Sequence, residues 1–175
     1  DFIRIANHPK GLAIGARHIS VSTCGLVPGI MKYAHEGLQT NLAISLHAPN
    51  DEIRNKLMPI SKAYPLDKLM EAVRYYEKNA GRRVTFEYIM LQDVNDSLEC
   101  AKELVELVKG TMSYVNLIPY NPVDEHSFKR SSDKNVHNFF SYLMQHAVNT
   151  TVRKEFGNDI DAACGQLRAK EILKK

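Results

Sequence analysis

Apolar and polar positions along the chain alternate between two periods, and the switches divide it into strand and helix units. Five short runs, 18–23, 42–46, 84–90, 114–119 and 150–154, are β-branched or apolar and are followed by turn-forming residues, which predicts five strands. Between them the spacing changes to three and four. Leu66, Leu69, Met70, Val73 and Tyr76 form a one-sided apolar stripe, the signature of an amphipathic helix. A second helix is expected after Asp96, whose side chain is placed to cap it while Glu99 reaches back. Leu98, Ala101, Val105 and Val108 form its inner face and Gly110 its stop. A third gathers Val136, Phe139, Phe140 and Leu143. Residues 1–5 read as the last turns of an amphipathic helix whose start lies before residue 1. Repeated β-α units of this length predict an α/β fold with a parallel sheet or partial barrel. The long polar stretch 122–133 is the one extended loop, and loops of that length in compact domains often carry function.

Polar residues cluster where such a fold places chemistry. Ser22 and Thr23 end the first predicted strand, Ser45 and His47 the second, and Arg153 the fifth; Asn95 and Asp96 follow the third, and Asn121 the fourth. Ligands of α/β sheets and barrels sit at the carboxyl ends of strands, because the βα loops are free to vary there. Ordinary strand-end capping uses the same residue types. Ser22 is equally a turn hydroxyl, His47 a satisfied histidine beneath a loop, and Asn121 the start of the Asn121-Pro122 turn.

Composition narrows the classes. A chain of 175 residues with 44% hydrophobic and 25% charged residues fits one globular domain with a sizeable core. No apolar stretch approaches a membrane span, and three scattered cysteines fit a reducing compartment, so a cytoplasmic protein is expected. The formal charge of +3 permits a nucleic-acid partner without requiring one. There is no His-x-His or His-Glu-x-x-His spacing, so no metal site is expected. Cys24, Cys100 and Cys164 lie too far apart to form a cluster-binding loop.

One of these thiols stands apart. Cys164 lies in the run Asp159-Ile160-Asp161-Ala162-Ala163-Cys164-Gly165-Gln166-Leu167, where small neighbours would let a ligand approach the sulfur. Alone, such a residue is either a buried structural cysteine or a nucleophile. The run is accompanied by Ser22-Thr23-Cys24-Gly25, Ile44-Ser45-Leu46-His47-Ala48-Pro49-Asn50, Leu57-Met58-Pro59-Ile60, Val94-Asn95-Asp96, Val115-Asn116-Leu117-Ile118-Pro119 and Arg130-Ser131. In order and approximate spacing this set, which covers nearly the whole chain, resembles the radical-SAM adenine-C2 RNA methyltransferases of the dual-specificity 23S rRNA and tRNA type.

The resemblance implies the C-terminal half of an incomplete radical-SAM (β/α) barrel, with residues 1–175 forming the C-terminal portion of the catalytic domain. Family members carry an upstream helical domain and a Cys-x3-Cys-x2-Cys loop, so the ligands of the implied 4Fe-4S cluster are expected outside this chain. Ser22, Ser45, Leu46, His47 and Asn121 match positions that contact S-adenosyl-L-methionine. Cys164 matches the cysteine that is methylated and then delivers the carbon to adenine carbon 2 through radical chemistry. The implied partners are 23S rRNA and tRNA together with an external electron donor, and no membrane. Of the basic residues Arg82, Arg83, Lys129, Arg130, Arg153, Lys154 and Arg168, Lys129 and Arg130 are the favoured RNA contacts, because they lie on the long loop near the fourth strand. These 175 residues alone are expected to be inactive, since the second cysteine and the base that resolve the covalent adduct also lie upstream in the family. An adenine carbon-8 methyltransferase of antibiotic-resistance type shares most of the motifs, and a non-catalytic RNA-binding fragment is the further alternative. Cys24 reads as a neutral substitution, Cys100 as a helix-packing residue and Tyr120 as a packing residue that could also stack on a base. Ala147 stands where many relatives have glycine in a turn.

Overall fold

Each strand pairs in parallel with the next in sequence, giving the order β1-β2-β3-β4-β5. The strands are β1 (Ser20–Thr23), β2 (Asn41–Ser45), β3 (Val84–Met90), β4 (Tyr114–Pro119) and β5 (Asn149–Val152). The helices are α1 (Phe2–Asn7), α2 (Val27–Tyr33), α3 (Asp51–Leu57), α4 (Leu66–Ala80), α5 (Leu98–Val108) and α6 (Asp133–Gln145). This computed structural model describes residues 1–122 and 127–153. Among these residues no helix is long and apolar enough to cross a membrane.

The five strands and the three long helices follow the sequence periodicity, with shorter ends than expected. His18 belongs to a 3-10 turn, so β1 begins at Ser20, and β5 ends at Val152. The cap of α5 is a correction. Ser97, not Asp96, accepts the Cys100 amide through its hydroxyl at 3.2 Å. Asp96 instead accepts the Asp93 amide and the Asn135 side-chain amide, both at 3.0 Å, and so ties the β3–α5 loop to α6. Glu99 pairs with Lys102 at 2.9 Å rather than reaching back. The short helices α2 and α3 have no counterpart in the periodicity, because seven residues give too few turns for a stripe to register. Residues 1–5 do fall in a helix, α1, whose Phe2 and Ile5 are exposed.

The core lies on one side of the sheet. Leu42 and Ile44 of β2, Val84, Phe86, Tyr88 and Met90 of β3, and Val115 and Leu117 of β4 are buried there. They pack in one cluster with Leu69, Met70, Val73 and Tyr76 of α4, Leu104 of α5 and Phe139 and Leu143 of α6. Along β3, burial alternates residue by residue, leaving Thr85, Glu87 and Ile89 half-buried on the opposite side. Sheets wound in both directions cover both faces, and their strands are apolar throughout. Here the strand order never reverses. The helices α2, α4, α5 and α6 join this one core cluster, as on the outside of a (β/α) barrel, and the other face carries Ser45, Glu87, Asn116 and Thr151.

Helix α6 ends in a tight reversal in which the Ala147 amide donates to the Met144 carbonyl at 3.1 Å and the Val148 amide to the Leu143 carbonyl at 3.0 Å. That geometry puts Ala147 at φ 59°, in the left-handed region that glycine adopts without a Cβ penalty. Ala147→Gly is expected to raise the free energy of unfolding by about 0.5–1 kcal/mol, the relief of strain less the entropy that glycine adds to the unfolded chain. Urea unfolding checks this, and an unchanged or lowered midpoint would show that the reversal carries no strain.

Candidate functional site

Strand register builds a polar row across the uncovered face. Ser45 of β2 pairs with Glu87 of β3, Glu87 with Asn116 of β4, and Asn116 with Thr151 of β5. The Glu87 carboxylate accepts the Asn116 side-chain amide at 2.7 Å, and Thr151 donates its hydroxyl to the Asn116 side-chain oxygen at 3.1 Å. Ser22 pairs with Ala43, two residues before Ser45, and is exposed. Asn121, also exposed, lies two residues beyond the end of β4. Other rim residues turn inward. Thr23 accepts the Gly25 and Leu26 amides at 3.2 and 3.3 Å at the entry to α2, an ordinary hydroxyl turn. Asn95 is fully buried, and both ends of its side chain are spent on backbone.

His47 is held on several sides. Its backbone is left-handed, φ 59°, and its amide shares the Glu87 carbonyl with the amide of Leu46. The His47 carbonyl accepts the Asn95 side-chain amide at 2.8 Å, and Nδ1 accepts the Ile89 amide at 3.1 Å. Burial, with a contribution from the Arg54 charge, pulls its pKa from the ordinary 6.5 down to about 4. The ring is therefore neutral near pH 7. Because Nδ1 accepts a hydrogen bond, the proton sits on Nε2, and the imidazole offers an N–H donor. Leu46 has no exposed surface, and both its amide and its carbonyl are engaged, so what it contributes is the spacing of Ser45 and His47.

Beneath these loops lies Arg54 of α3, buried completely and absent from the sequence-based candidates. Its guanidinium donates to the carbonyls of Cys24 at 2.9 Å, Leu46 at 3.2 Å, and Ser45 and Tyr64 at 3.4 Å. The signal was present in the spacing. Arg54, Leu57 and Met58 fall at i, i+3 and i+4, so an arginine occupies an inward stripe. Glu87 leaves no such trace, because a polar residue in the middle of an alternating strand carries no spacing or motif of its own.

Lys129 and Arg130 approach the β3–α5 loop. The Lys129 carbonyl accepts the Gln92 amide at 2.9 Å, and Arg130 forms an antiparallel bridge with Leu91. Arg130 and Arg153 line one cavity of about 320 Å³ with Asp133, His137 and Pro119, beside the carboxyl ends of β4 and β5. Arg82 and Arg83 precede β3 and so lie at the opposite edge; Arg82 donates to Asn41 at 3.0 Å, and Arg83 stacks 4.1 Å above the Tyr114 ring. Tyr120 is buried edge-on to Phe128, a packing role. Cys24 is exposed, and Cys100 is buried in α5, its thiol pKa pushed up by burial. Cys164, Lys154 and Arg168 lie outside the described residues.

These groups fit some ligands and not others. Ser22, Ser45, the Glu87 carboxylate, the His47 N–H and Asn121 supply neutral donors and acceptors with one negative charge, a set suited to a ligand bearing hydroxyl, amine and heterocyclic nitrogen groups. An iron–sulfur cluster finds no ligand set, since no three His, Cys, Asp or Glu side chains gather among the described residues.

Comparison with known proteins places the chain. No protein-family model matches it. A protein of Geobacillus kaustophilus named probable dual-specificity RNA methyltransferase RlmN is 61% identical over 170 residues, which are 97% of this chain and 47% of the relative. The chain thus spans about half the length of the curated relatives it matches. The crystal structure of a radical SAM methyltransferase from Sphaerobacter thermophilus superposes with a TM-score of 0.90 and 46% identity, covering 94% of this chain and 48% of that one. A domain of pyruvate-formate lyase-activating enzyme from Bacteroides vulgatus covers 77% of this chain and 80% of its own at TM-score 0.57 and 14% identity, a likeness of fold alone.

The neutral state of His47 sets a pH dependence. Its folded pKa lies below its unfolded one, so its contribution to stability is complete above pH 6.5 and is lost as the pH falls through that value toward 4. The full effect is about 3 kcal/mol. Urea unfolding at pH 7 and pH 4.5 is expected to show a smaller acid loss for His47→Gln than for the wild type, and equal losses would show that His47 titrates normally.

Proposed function

The chain is a homologue of the RlmN-type dual-specificity RNA methyltransferases, matching about half of their length, and from that relationship we propose that it forms the C-terminal part of a radical-SAM catalytic domain that methylates carbon 2 of adenine in 23S rRNA and tRNA. The observation that carries this reading is the 61% identity over 170 residues with the Geobacillus protein. Ser22, Ser45, His47 and Asn121 hold S-adenosyl-L-methionine at the carboxyl edge of the sheet, with Leu46 setting the spacing between Ser45 and His47. The neutral His47 N–H serves there as a hydrogen-bond donor and carries no charge at neutral pH. When bound, this cofactor supplies the methyl carbon and the radical precursor, while the cluster that reduces it is held by residues outside this chain.

Cys164 is the carrier in this reading. Its thiolate takes the methyl group of one S-adenosyl-L-methionine, releasing S-adenosylhomocysteine. The thioether carbon then loses a hydrogen atom to a radical derived from a second cofactor molecule and adds to adenine, the adduct being resolved by the second cysteine and the base expected upstream. Carbon 2 of adenine is a poor nucleophile, so a radical route is needed where ordinary polar methylation fails. The chain's task is to fix distance and exclude side reactions. Lys129 and Arg130 meet the RNA backbone, with Arg153 on the same cavity as Arg130. The enzyme works in the cytoplasm with an external electron donor.

The complete protein, loaded with its cluster and supplied with S-adenosyl-L-methionine and an electron donor, is expected to convert adenosine in 23S rRNA fragments and tRNA to 2-methyladenosine, read by mass spectrometry of digested RNA. 8-Methyladenosine would assign the carbon-8 chemistry instead. Salt-dependent RNA binding with no methylation would assign the chain to a binding role. The 175 residues by themselves are expected to transfer no methyl group, and detectable transfer by them would contradict the reading.

A further inference from the structure

Arg54 is a charged residue that the proposed chemistry does not use, yet it is buried completely. Among the described residues its bonds go to carbonyls alone, and no carboxylate lies within ion-pair range. Burial lowers the Arg54 pKa even though the Asp51 carboxylate favours the charge from beyond bonding distance, so the guanidinium relies on acceptors that meet its fork. The acceptors come from three separate segments. The Cys24 carbonyl belongs to the turn after β1, the Ser45 and Leu46 carbonyls to the end of β2, and the Tyr64 carbonyl to the entry to α4. Gly25 completes the fit. It has φ 102°, and a Cβ there would lie 2.9 Å from Arg54 Nη2, so the turn rests directly on the guanidinium.

We infer that Arg54 is a positioning residue for the cofactor site, fixing the turn that follows Ser22 against the turn that joins Ser45 to His47. The inference rests on the reading of those residues as cofactor contacts. Ser22, Ser45 and His47 come from two different strand ends, and a ligand touching all three requires a constant distance between them. Pairing between β1 and β2 fixes Ser22 against Ala43 and ends at Thr23 and Ile44, whereas Ser45 and His47 lie past that last pair and are tied to β3 instead. Beyond that pair the turns have no ladder between them, and Arg54 replaces the missing ladder with carbonyl bonds on both sides. Lysine can supply the charge but not the planar fork, so it cannot bridge the two turns in the same way.

The test uses the complete, cluster-loaded protein and its Arg54→Lys variant. Calorimetric titration with S-adenosyl-L-methionine is expected to show a Kd raised about tenfold or more, since misplacement of binding groups by a fraction of an ångström is enough for that. Affinity for tRNA is expected to stay near wild type, while the thermal midpoint falls, because lysine leaves some of the four carbonyls unmet. Wild-type cofactor affinity in the variant would overturn the inference. So would a loss of tRNA affinity as large as the loss of cofactor affinity, the mark of a residue that only holds the fold. A measurement on the unaltered protein decides the case should the variant fail to fold. Hydrogen exchange of the Arg54 Nε–H is expected to slow when the cofactor saturates the site, because coupling between them is reciprocal, and an unchanged rate overturns the inference. A wild-type protein that binds no S-adenosyl-L-methionine would instead overturn the proposed function.

Discussion

The burial of one sheet face and not the other is the constraint on which the rest of this structure depends. Five parallel strands laid down in sequence order send the crossovers the same way, so α2, α4, α5 and α6 share one core. That side must be apolar, and the buried alternation of Val84, Phe86, Tyr88 and Met90 answers it. The opposite side is then free to carry Glu87, Asn116 and Thr151, whose mutual hydrogen bonds would be costly to assemble inside a two-sided sheet. Ligand chemistry and fold therefore come from the same alternation. The odd positions of β3 belong to the candidate site and the even ones to the core.

A parallel sheet also creates a problem at its carboxyl edge. Past the last paired residues, carbonyls and amides lose their ladder partners yet remain partly buried, and leaving each unmet costs about 1–3 kcal/mol. Two buried polar side chains take over. Asn95 satisfies the Leu91 amide and the Ile89 and His47 carbonyls, while Arg54 satisfies the carbonyls of Cys24, Ser45 and Leu46. His47 sits between the two, its ring accepting the Ile89 amide and its charge suppressed. The Ser22, Ser45 and Asn121 side chains and the His47 Nε2–H are left over, and these are the groups that the proposed cofactor reading uses. Capping and binding are thus divided among neighbours, which is why strand-end polar residues could not be assigned one role as a group.

Much of the architecture was legible because it rests on local periodicity. The stripe through Leu66, Leu69, Met70, Val73 and Tyr76 is long enough to specify α4, and the strand limits 84–90 and 114–119 agree with β3 and β4. What escaped depends on distant partners. Asp96 and Ser97 are equally good caps in sequence, and only the approach of Asn135, 39 residues away, draws Asp96 off. The short helix α3 is fixed by contacts rather than propensity, so the inward turn of Arg54 left a faint trace. The family motifs located Ser22, Ser45 and His47 but said nothing of the guanidinium that joins their loops. Cys164 lies beyond the described part of the chain, and its proposed role rests on the motif it sits in.

That role is the central claim, since a cofactor site at a sheet edge serves many reactions and a methyl-carrying cysteine serves very few. Peptide mass spectrometry on the complete protein, purified from cells with its cluster intact, tests it directly. The account predicts a methyl group on Cys164. An unmodified Cys164, in protein shown to bind both the cluster and S-adenosyl-L-methionine, would contradict it and return the cysteine to a structural role.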